Sequence, residues 1–416
     1  MKIYLEIYGC TANKSDASLI KGILKKESHE IVEKIDDADA IVILTCTVIG
    51  TTEQRMLSRL REFGKTGKKI IVTGCMATVQ SELVKSIVPY ARLLSPRYAY
   101  HILDVIDDKK VSFKTGNKTL LSKYYGDITA PISIAEGCRF ECSYCITSIA
   151  RGKLKSYPID EIKQDVCSAL RQGCKEIQLT AQDTSSYGFD LGYDLGDLLT
   201  GVCKHKGKYR IRVGMMNPYT ALKNTDSIIK SFDDNKIYKF LHMPIQSGDN
   251  YILKKMNRKY TVDNFLEIIK KFREKHKDIT VSTDIIVGFP TETDEQFQHT
   301  IDLLKKIKPD ITNITRYSAR PYTKSKSMEG RIRTDIVKGR SKLLTEICNK
   351  ISLENNFNHI GKKYTLLITE EGKNNTIIGR TETYKPVVIK ENVEIGNFIP
   401  VEITSSAPTH LFGMLI

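Results

Sequence analysis

The sequence has no apolar run near the roughly 20 residues that a membrane-spanning helix requires. Residues 1–8 predict a β-strand and lack the charged region, apolar core and cleavage site of a signal peptide. There is also no basic amphipathic helix and no lipidation signal that would attach the chain to a membrane surface. From these absences we expect a cytoplasmic protein that has no membrane partner.

A chain without an export signal is not expected to hold its ten cysteines in a disulfide framework. Metal ligation is the better explanation for at least some of them. The length of 416 residues predicts two or three domains. The formal net charge of +15 favours a polyanionic partner, nucleic acid before membrane, although a basic average can also serve solubility alone.

Three cysteines lie in one short loop, Cys138-Arg-Phe-Glu-Cys142-Ser-Tyr-Cys145, after a predicted buried strand at residues 132–135. A structural zinc ion takes four ligands, and this loop holds no fourth cysteine or histidine. A [4Fe–4S] cluster is normally held by four thiolates, so three of them would leave one iron open to a small molecule. The alternatives are buried structural cysteines, or a zinc knuckle with a distant fourth ligand.

Three further cysteines each follow a predicted strand of an alternating strand–helix pattern. Strands are predicted at residues 2–8, 40–44 and 69–72, and helices at 15–28, 52–64 and 80–87. Such alternation implies a parallel sheet, which places ligands beyond the carboxyl ends of its strands. Cys10, Cys46 and Cys75 occupy those ends, so we expect them to meet in space near helix N-termini that favour anions. One such cysteine is ordinary packing, but three in equivalent positions indicate a second three-ligand cluster.

The alternation resumes between residues 132 and 314 with six units, which fits an open (β/α)6 barrel. Its strands are predicted at residues 132–135, 176–180, 209–213, 240–245, 280–287 and 311–317. Barrel chemistry takes place at the carboxyl ends of the strands. Polar or thioether side chains that follow the predicted strands are Gln182, Asp183, Met215, Asn217 and Gln246, and Asp284 lies within the fifth strand.

Three other stretches complete the organisation. Residues 106–128 are polar turn sequence and predict a linker. Residues 316–342 carry nine Lys and Arg against two acidic residues, which favours contact with phosphate, a solvated face being the alternative. Strands predicted at 363–369, 376–380, 386–390 and 398–403 indicate a small β-barrel of the kind that binds nucleic acid.

Taken with both cysteine triads and the β-module, the sequence resembles the radical S-adenosylmethionine (SAM) methylthiotransferases over almost its whole length. The likeness is greatest to the archaeal and eukaryotic enzymes that act on N6-threonylcarbamoyladenosine in tRNA. The stretches that carry it begin at Cys145, Ser156, Leu179, Arg212, His242 and Asp284. The resemblance implies a Rossmann-like α/β cluster domain (1–105), a linker (106–128), a radical SAM barrel domain (129–356) and an all-β TRAM domain (357–416).

The resemblance also implies the chemistry. One [4Fe–4S] cluster on Cys138, Cys142 and Cys145 would cleave SAM to a radical, which removes the hydrogen from C2 of adenine. A second [4Fe–4S] cluster on Cys10, Cys46 and Cys75 would hold the sulfur that a second SAM methylates. Expected partners are the tRNA anticodon stem-loop, a low-potential electron donor and a sulfur donor. By position, Gln182, Asp183, Met215, Asn217 and Gln246 are the candidate SAM contacts, and Arg316 or Arg320 is expected to read the threonylcarbamoyl carboxylate.

Two departures from the group's pattern give further expectations. The chain has Arg320-Pro-Tyr322-Thr-Lys where the group often has Arg-Pro-Gly-Thr-Pro, and tyrosine lacks the backbone freedom of glycine. We therefore expect a loop of different shape. From residue 361 onward Lys and Arg number six and Asp and Glu six, so the 316–342 segment is expected to carry more of the RNA contact.

Alternative functions differ in substrate or in class. The first are methylthiolation of isopentenyladenosine in tRNA, or of an aspartate in a ribosomal protein. The overall basic charge favours RNA as the substrate. The alternative from another functional class is a non-catalytic protein that binds zinc and RNA.

Overall fold

The computed structural model describes residues 1–48, 50–109 and 116–416 and divides the chain into two compact units. Unit 1 comprises Met1–Gln172, Thr180–Gln182 and Ser318–Lys326; unit 2 comprises Gly173–Leu179, Asp183–Tyr317 and Ser327–Ile416. These units are defined by packing and do not test the domain boundaries predicted from the sequence, which stay predictions. In the described ranges, no helix is long and apolar enough to cross a membrane.

Unit 1 begins with a parallel α/β sheet. Its strands are β1 (Lys2–Ile7), β2 (Glu30–Val32), β3 (Ala40–Thr45), β4 (Lys69–Gly74) and β5 (Arg92–Leu94). Its helices are α1 (Thr11–Lys26), α2 (Gly50–Gly64), α3 (Cys75–Val79), α4 (Ser81–Ile87) and α5 (Ile102–Ile106), with a 3₁₀ helix at Pro96–His101. The sheet order is β2-β1-β3-β4-β5 and every neighbouring pair is parallel, which confirms the predicted sheet. β2 and β5 were not predicted, because edge strands of three residues carry too little pattern.

The central strand β3 is buried on both faces, as expected for an uninterrupted apolar strand of a parallel sheet. Ala40, Val42 and Leu44 pack with apolar residues of α1 and α5, whereas Ile41 and Ile43 pack with those of α2. Helices therefore cover both faces of the sheet. This packing holds the carboxyl ends of β1, β3 and β4 together at one edge.

The remainder of unit 1 carries the predicted cluster loop. It contains β6 (Thr129–Ser133), β7 (Ala135–Glu136), α6 (Thr147–Arg151), β8 (Lys155–Ser156) and α7 (Ile159–Arg171). The strand predicted at 132–135 is divided at Ile134, whose N–H donates to the carbonyl of Thr180 over 2.9 Å. β7 then pairs antiparallel with β8, and the loop between them holds Cys138, Cys142 and Cys145.

Where it is described, the segment predicted as a linker at 106–128 is tied into unit 1. Lys118 is buried and its Nζ lies 2.9 Å from Asp16 Oδ1. Lys123 is also buried and forms an ion pair with Asp165. The predicted turn at 114–118 lies partly outside the described residues. Composition cannot distinguish buried, paired lysines of this kind from solvated ones.

Unit 2 contains five of the predicted barrel strands. The one exception is Thr180, the last residue of the first of these strands, which belongs to unit 1. They are β9 (Glu176–Thr180), β10 (Arg210–Val213), β11 (Phe240–His242), β12 (Thr280–Val287) and β13 (Ile311–Arg316). The helices are α8 (Leu195–Cys203), α9 (Pro218–Lys223), α10 (Thr225–Ser231), α11 (Asn250–Lys255), α12 (Val262–Lys275), α13 (Asp294–Ile307) and α14 (Thr334–Phe357). β9 pairs parallel with β10, and β11, β12 and β13 form a second parallel set. β11 ends three residues before the predicted bound, because Pro244 has no N–H for a ladder hydrogen bond.

The chain ends in a closed β-barrel within unit 2. Its strands are β14 (Lys363–Glu371), β15 (Ile377–Arg380), β16 (Pro386–Ile389), β17 (Phe398–Ser406) and β18 (Leu411–Leu415). They close in the order β14-β15-β16-β18-β17 around Leu366, Ile368, Val387 and Val401. The predicted small barrel is confirmed. β18, which closes the barrel by pairing with both β16 and β17, was not predicted.

Candidate functional site

The first cysteine triad lies at the carboxyl edge of the parallel sheet. Cys10 follows β1 and precedes α1, Cys46 follows β3, and Cys75 is the first residue of α3 after β4. Two glycines bring these strand ends close together. A Cβ on Gly9 (φ +103°) would lie 2.9 Å from the Cβ of Cys46, and one on Gly74 (φ +87°) would lie 2.2 Å from the carbonyl oxygen of Thr45. Any larger side chain would separate the turns that carry the cysteines.

The three thiols of this triad influence one another electrostatically. Burial raises the pKa of the Cys75 thiol to about 12, and negative charge at Cys10 and Cys46 adds to that shift. Burial likewise raises the pKa of Cys46, with Cys10 contributing in the same direction. At both thiols the positive charge of Arg151 opposes the shift. The triad is therefore compact, with Cys75 buried, Cys10 exposed, and one cation beside it.

Arg151 belongs to α6, and it is almost fully buried at 2% exposure. Its Nη2 donates to Asn13 Oδ1 over 2.7 Å and to Asp16 Oδ2 over 2.8 Å, while Nη1 donates to Glu136 Oε1 over 3.1 Å. Lys118 completes the network through Asp16 and Glu136, at 2.9 and 2.8 Å. Because Asn13 and Asp16 lie on α1 directly after Cys10, this network joins the two cysteine-bearing segments.

The second triad lies in a tightly closed loop. Gly137 (φ +76°) precedes it, and a Cβ there would lie 2.0 Å from the carbonyl oxygen of Lys153. The N–H of Cys138 donates to the carbonyl of Gly152 over 2.9 Å, and that of Cys145 donates to the carbonyl of Cys142 over 3.0 Å. The three cysteines are half-buried. Burial raises the pKa of Cys145, with the charge of Cys142 adding to the effect.

The two triads are neighbours within unit 1. Cys75 of the first packs in one apolar cluster with Val79, Ile146 and Ala150, the last two following Cys145 in the chain. In the described residues, no three His, Cys, Asp or Glu side chains are grouped around a single metal-ion position. A [4Fe–4S] cluster makes a different demand, since each thiolate binds its own iron and the sulfurs lie farther apart. Thiolate triads on glycine-bordered loops suit such an anionic cluster, and the first triad also lies beside the buried guanidinium of Arg151.

Two of the predicted SAM contacts, Gln182 and Asp183, follow β9 and differ in how their side-chain oxygens are hydrogen-bonded. Gln182 has a buried Oε1 that accepts no hydrogen bond within the described residues. Asp183 is buried, and its carboxylate accepts from the backbone N–H groups of Ser185 and Asn217 and from the hydroxyls of Ser185 and Thr220. Burial raises the pKa of Asp183. Its oxygens are thus occupied in holding the β9 and β10 turns together, whereas Gln182 keeps a free acceptor.

The other three predicted SAM contacts border the ends of β10 and β11. Asn217 is buried and is the N-cap residue of α9. Its Oδ1 accepts a hydrogen bond from the backbone N–H of Tyr219. The side chain of Met215 is 37% exposed, and its carbonyl accepts from Thr184. Gln246 adopts a left-handed φ of +79°, which is uncommon for a residue with a side chain and recurs at functional sites.

The sequence analysis did not predict a polar face along the strands of unit 2. Alternate residues bring Gln178, Arg212, His242, Asp284 and Asn313 to the same face, opposite a mainly apolar one. Asp284 Oδ1 lies 2.9 Å from His242 Nε2 and accepts from Asn313 Nδ2 over 2.8 Å. Polar residues at every second position of these strands were the signal that could have revealed it.

An aromatic side chain of the C-terminal barrel covers the amino end of this polar face. Tyr384 lies between β15 and β16 with a left-handed φ of +67°, and its ring centroid is 5.0 Å from that of Phe240 and 4.8 Å from that of Tyr238. The Arg212 guanidinium lies 5.2 Å above the Tyr384 ring. The C-terminal barrel therefore closes one end of the face that carries Arg212.

The two arginines expected to read the substrate differ. Arg316 ends β13 and is exposed. Arg320 is 7% exposed, and its Nη1 lies 2.5 Å from Glu53 Oε2 and 3.3 Å from the carbonyl oxygen of Thr47. Arg320 is therefore already paired with a carboxylate, which disfavours it as the residue that reads the threonylcarbamoyl carboxylate.

The basic segment 316–342 is also not one solvated surface. Arg340 is buried, with Glu292 and Asp294 at 2.8 and 2.7 Å. Exposed cations of the segment include Lys338 and Lys342. The predicted phosphate contact therefore rests on the exposed members alone.

Tyr322 occupies the position where the group often has glycine. It adopts a left-handed φ of +62°, and its side chain is 71% exposed. The expected change of loop shape is therefore not needed to accommodate tyrosine, since the residue takes the conformation that glycine would favour. Such a conformation costs about 1–2 kcal/mol for a residue with a Cβ.

Comparisons with known families match three parts of the chain. Residues 2–95 match the "Uncharacterized protein family UPF0004", residues 132–304 the Radical SAM superfamily, and residues 359–416 the TRAM domain. The first match contains Cys10, Cys46 and Cys75, and the second contains Cys138, Cys142 and Cys145.

Curated relatives match over the full length. A protein of Pyrococcus abyssi named "Probable threonylcarbamoyladenosine tRNA methylthiotransferase" is 42% identical over 99% of both chains. Its namesake in Pyrococcus horikoshii is 40% identical over 100% of both. A "tRNA-2-methylthio-N(6)-dimethylallyladenosine synthase" of Fusobacterium nucleatum is 34% identical over 98% of both.

Solved structures share the fold at low identity. The radical SAM methyltransferase TsrM of Kitasatospora setae superposes with a TM-score of 0.57 and 13% identity, covering 78% of this chain and 76% of that one. The cobalamin-dependent radical SAM enzyme OxsB superposes with a TM-score of 0.53 and 10% identity, over 83% of this chain and 56% of that one. At this identity the likeness concerns architecture only.

Proposed function

Because the chain belongs to the radical SAM methylthiotransferases of tRNA, we propose that it converts N6-threonylcarbamoyladenosine beside the anticodon to its 2-methylthio derivative. The observation that supports this choice of substrate is the difference in sequence identity between two groups of relatives. Relatives named for threonylcarbamoyladenosine are 37–42% identical, whereas those named for dimethylallyladenosine are 33–34% identical. Membership of the family implies a [4Fe–4S] cluster and SAM.

We propose a second [4Fe–4S] cluster on Cys10, Cys46 and Cys75, beside the first on Cys138, Cys142 and Cys145. When bound, the two would supply the electron that cleaves SAM and the sulfur that a second SAM methylates. The placement of Cys10, Cys46 and Cys75 at one edge of the parallel sheet, and of Cys138, Cys142 and Cys145 in one loop of the same unit, supports this assignment. The chain's own part is to hold the six thiolates, and to offset the negative charge of the first triad with buried Arg151. A low-potential electron donor and a sulfur donor complete the system.

For SAM itself we propose contacts from Gln182, Met215, Asn217 and Gln246. The unpaired Oε1 of Gln182 is an acceptor that suits the amino group of SAM. Asp183 acts by positioning, because its saturated carboxylate fixes the backbone of Asn217. For the threonylcarbamoyl carboxylate we retain Arg316, the exposed member of the predicted pair.

The substrate is tested with anticodon stem-loops that carry either threonylcarbamoyladenosine or isopentenyladenosine, incubated with anaerobically reconstituted protein, SAM, sulfide and a reductant. We expect mass spectrometry of the nucleosides to show methylthio product from the first RNA only. Product from the second RNA alone would replace this proposal with the other tRNA substrate. Methylthiolation of neither RNA by protein that cleaves SAM would point to a protein substrate.

The cluster content is tested separately from activity. Two [4Fe–4S] clusters predict about eight irons and about eight acid-labile sulfides per chain. Replacing Cys10, Cys46 and Cys75 together by alanine is expected to halve both numbers, as is replacing Cys138, Cys142 and Cys145. A wild-type content of about four irons would refute the second cluster, and zinc without sulfide would favour the non-catalytic alternative.

A further inference from the structure

A recess in unit 1 borders the loop that holds Cys138, Cys142 and Cys145. The proposed function assigns no role to the side chains on its rim. Its rim carries three exposed cations, Arg97, Lys153 and Lys155. The backbone fixes their position against the loop. The carbonyl oxygen of Lys153 lies 2.0 Å from the Cβ position of Gly137, and the Arg97 guanidinium lies 2.8 Å from the Cβ position of Gly152. We call this feature the basic recess.

The charge of the basic recess is one-sided. Lys118 and Arg151 form its inner wall together with Glu136, the one carboxylate among the described residues that line it. Glu136 is already engaged by both of those cations, at 2.8 and 3.1 Å. The three rim cations therefore face solvent without a carboxylate of the recess to neutralise them. A surface of this kind attracts anions, and its attraction falls with added salt.

Aromatic rings line the basic recess together with these cations. Tyr98, Tyr100 and Tyr157 line the basic recess, and the ring centroids of the first two are 6.4 Å apart in an edge-on arrangement. Tyr98 and Tyr100 are half-buried, whereas Tyr157 is buried. Cationic side chains that track a phosphate backbone, together with rings on which bases stack, are the combination that binds single-stranded nucleic acid.

We propose that the basic recess binds the sugar–phosphate backbone, and one stacked base, of the anticodon-loop nucleotides that flank the modified adenosine. This inference rests on the proposed function, since it requires a tRNA substrate. The target adenosine must leave the loop stack to be modified, so its neighbours need a separate hold. Phosphate contacts give register without reading sequence. The basic recess lies against the Cys138 loop, where such a hold is useful.

The test measures direct binding of a modified anticodon stem-loop to full-length, cluster-reconstituted protein across a series of salt concentrations. The triple variant Arg97→Gln, Lys153→Gln, Lys155→Gln is expected to bind at least about tenfold more weakly at low salt. Its slope of log affinity against log salt should be shallower by about two, at roughly 0.7 for each lost contact to single-stranded phosphate. Each single variant should show about one third of that change in slope.

The matched control removes the same charge elsewhere in unit 1. Lys26→Gln, Lys34→Gln and Lys65→Gln change three exposed lysines near the amino ends of the strands, away from both triads. This control is expected to keep the wild-type salt slope. Iron content equal to that of the wild type, measured for both triple variants, shows that the fold and clusters are intact.

The outcomes separate the two proposals. Wild-type protein that binds no anticodon stem-loop would overturn the proposed function and this inference with it. Wild-type binding that the recess triple leaves unchanged, or that the control triple weakens equally, would overturn the recess alone. Adenosine monophosphate serves as a probe for a small phosphate ligand. If the recess triple abolished its binding but not that of the stem-loop, the recess would hold a small phosphate instead of RNA.

Discussion

Three arginines are buried in ion pairs, and one of them, Arg151, also lies beside the first cysteine triad. Arg151, Arg320 and Arg340 are all basic residues that a charge count assigns to a nucleic-acid surface, yet each is buried against carboxylates. Removing a charge from water is costly unless it is paired and hydrogen-bonded, so each of these arginines needs its specific partners. For Arg151 the partners come from α1 and β7, and its charge also reaches the first cysteine triad. Arg151 thereby connects α1 to β7 and offsets negative charge at the first cysteine triad.

Arg151→Met is expected to lower the unfolding free energy of the iron-free protein by about 3–5 kcal/mol, because the buried Asp16 and the half-buried Glu136 would keep their charges with less compensation. Arg151→Lys should lie between this variant and the wild type, since lysine keeps the charge but cannot form the two-pronged contact. Urea unfolding followed by circular dichroism measures both.

The exposed Arg61 on α2 provides the control for that experiment. Arg61→Met is expected to change the unfolding free energy by no more than about 0.5 kcal/mol. Equal effects of the two methionine variants would show that the buried network contributes nothing special.

At the scale of elements, strand ends place the functional residues and turns hold them. The apolar runs that make β3 and β4 central strands also fix where Cys46 and Cys75 emerge. In unit 2 the ends of β9 and β10 are tied through Asp183, which accepts hydrogen bonds from both turns. The bounds of β9 and β10 were predicted to within one residue, whereas the cross-connection between their turns was not predicted.

Asp183→Asn is expected to reduce the unfolding free energy by about 1–3 kcal/mol without any ligand, because the amide NH2 cannot accept from the hydroxyl of Thr220 or Ser185. Asp37→Asn, at an exposed position, serves as the matched control. If Asp183 contacted SAM directly instead, the variant would keep its stability and lose only affinity for SAM. Thermal unfolding and SAM binding together decide between these roles.

At the scale of the molecule, the C-terminal barrel is more than an appended module. Its Tyr384 covers one end of the polar face in unit 2, and Lys385 lies 2.7 Å from Asp310. His359, between α14 and β14, contacts the hydroxyl of Tyr364 through Nδ1 at 2.6 Å. Burial lowers the pKa of His359 to about 4, and the charges of Lys385 and Lys362 add to the effect. Packing of this barrel therefore depends on a neutral imidazole.

The pH dependence has a defined sign. Between about pH 6.5 and about 4 the unfolded chain takes up a proton at His359 before the folded chain does. The stabilising contribution is complete above pH 6.5 and is lost as the pH falls through 4. We therefore expect the difference in melting temperature between wild type and His359→Gln to shrink on acidification from pH 7 to pH 4.5, with His410→Gln as the control. A difference that stayed constant or grew would contradict this assignment.

The sequence alone determined what depends on local pattern. Apolar runs and their periods gave the parallel sheet, the barrel strands and the small β-barrel. The spacing of Cys138, Cys142 and Cys145, and the equivalent positions of Cys10, Cys46 and Cys75 after successive strands, predicted two groups of ligands. These features are visible because each depends on residues close together in the chain.

Only the tertiary structure decided which charges are paired and which remain free. Arg320 and its partner Glu53 are 267 positions apart, and Arg151 and Asp16 are 135 apart, so no local pattern reveals either pair. No local pattern reveals the basic recess or the exposure of the polar face of unit 2 either. In both, packing of the folded chain determines which side chains are exposed. A charged side chain has the same letter whether it is buried or solvated, and the cost of desolvation, set by the folded surroundings, determines its role.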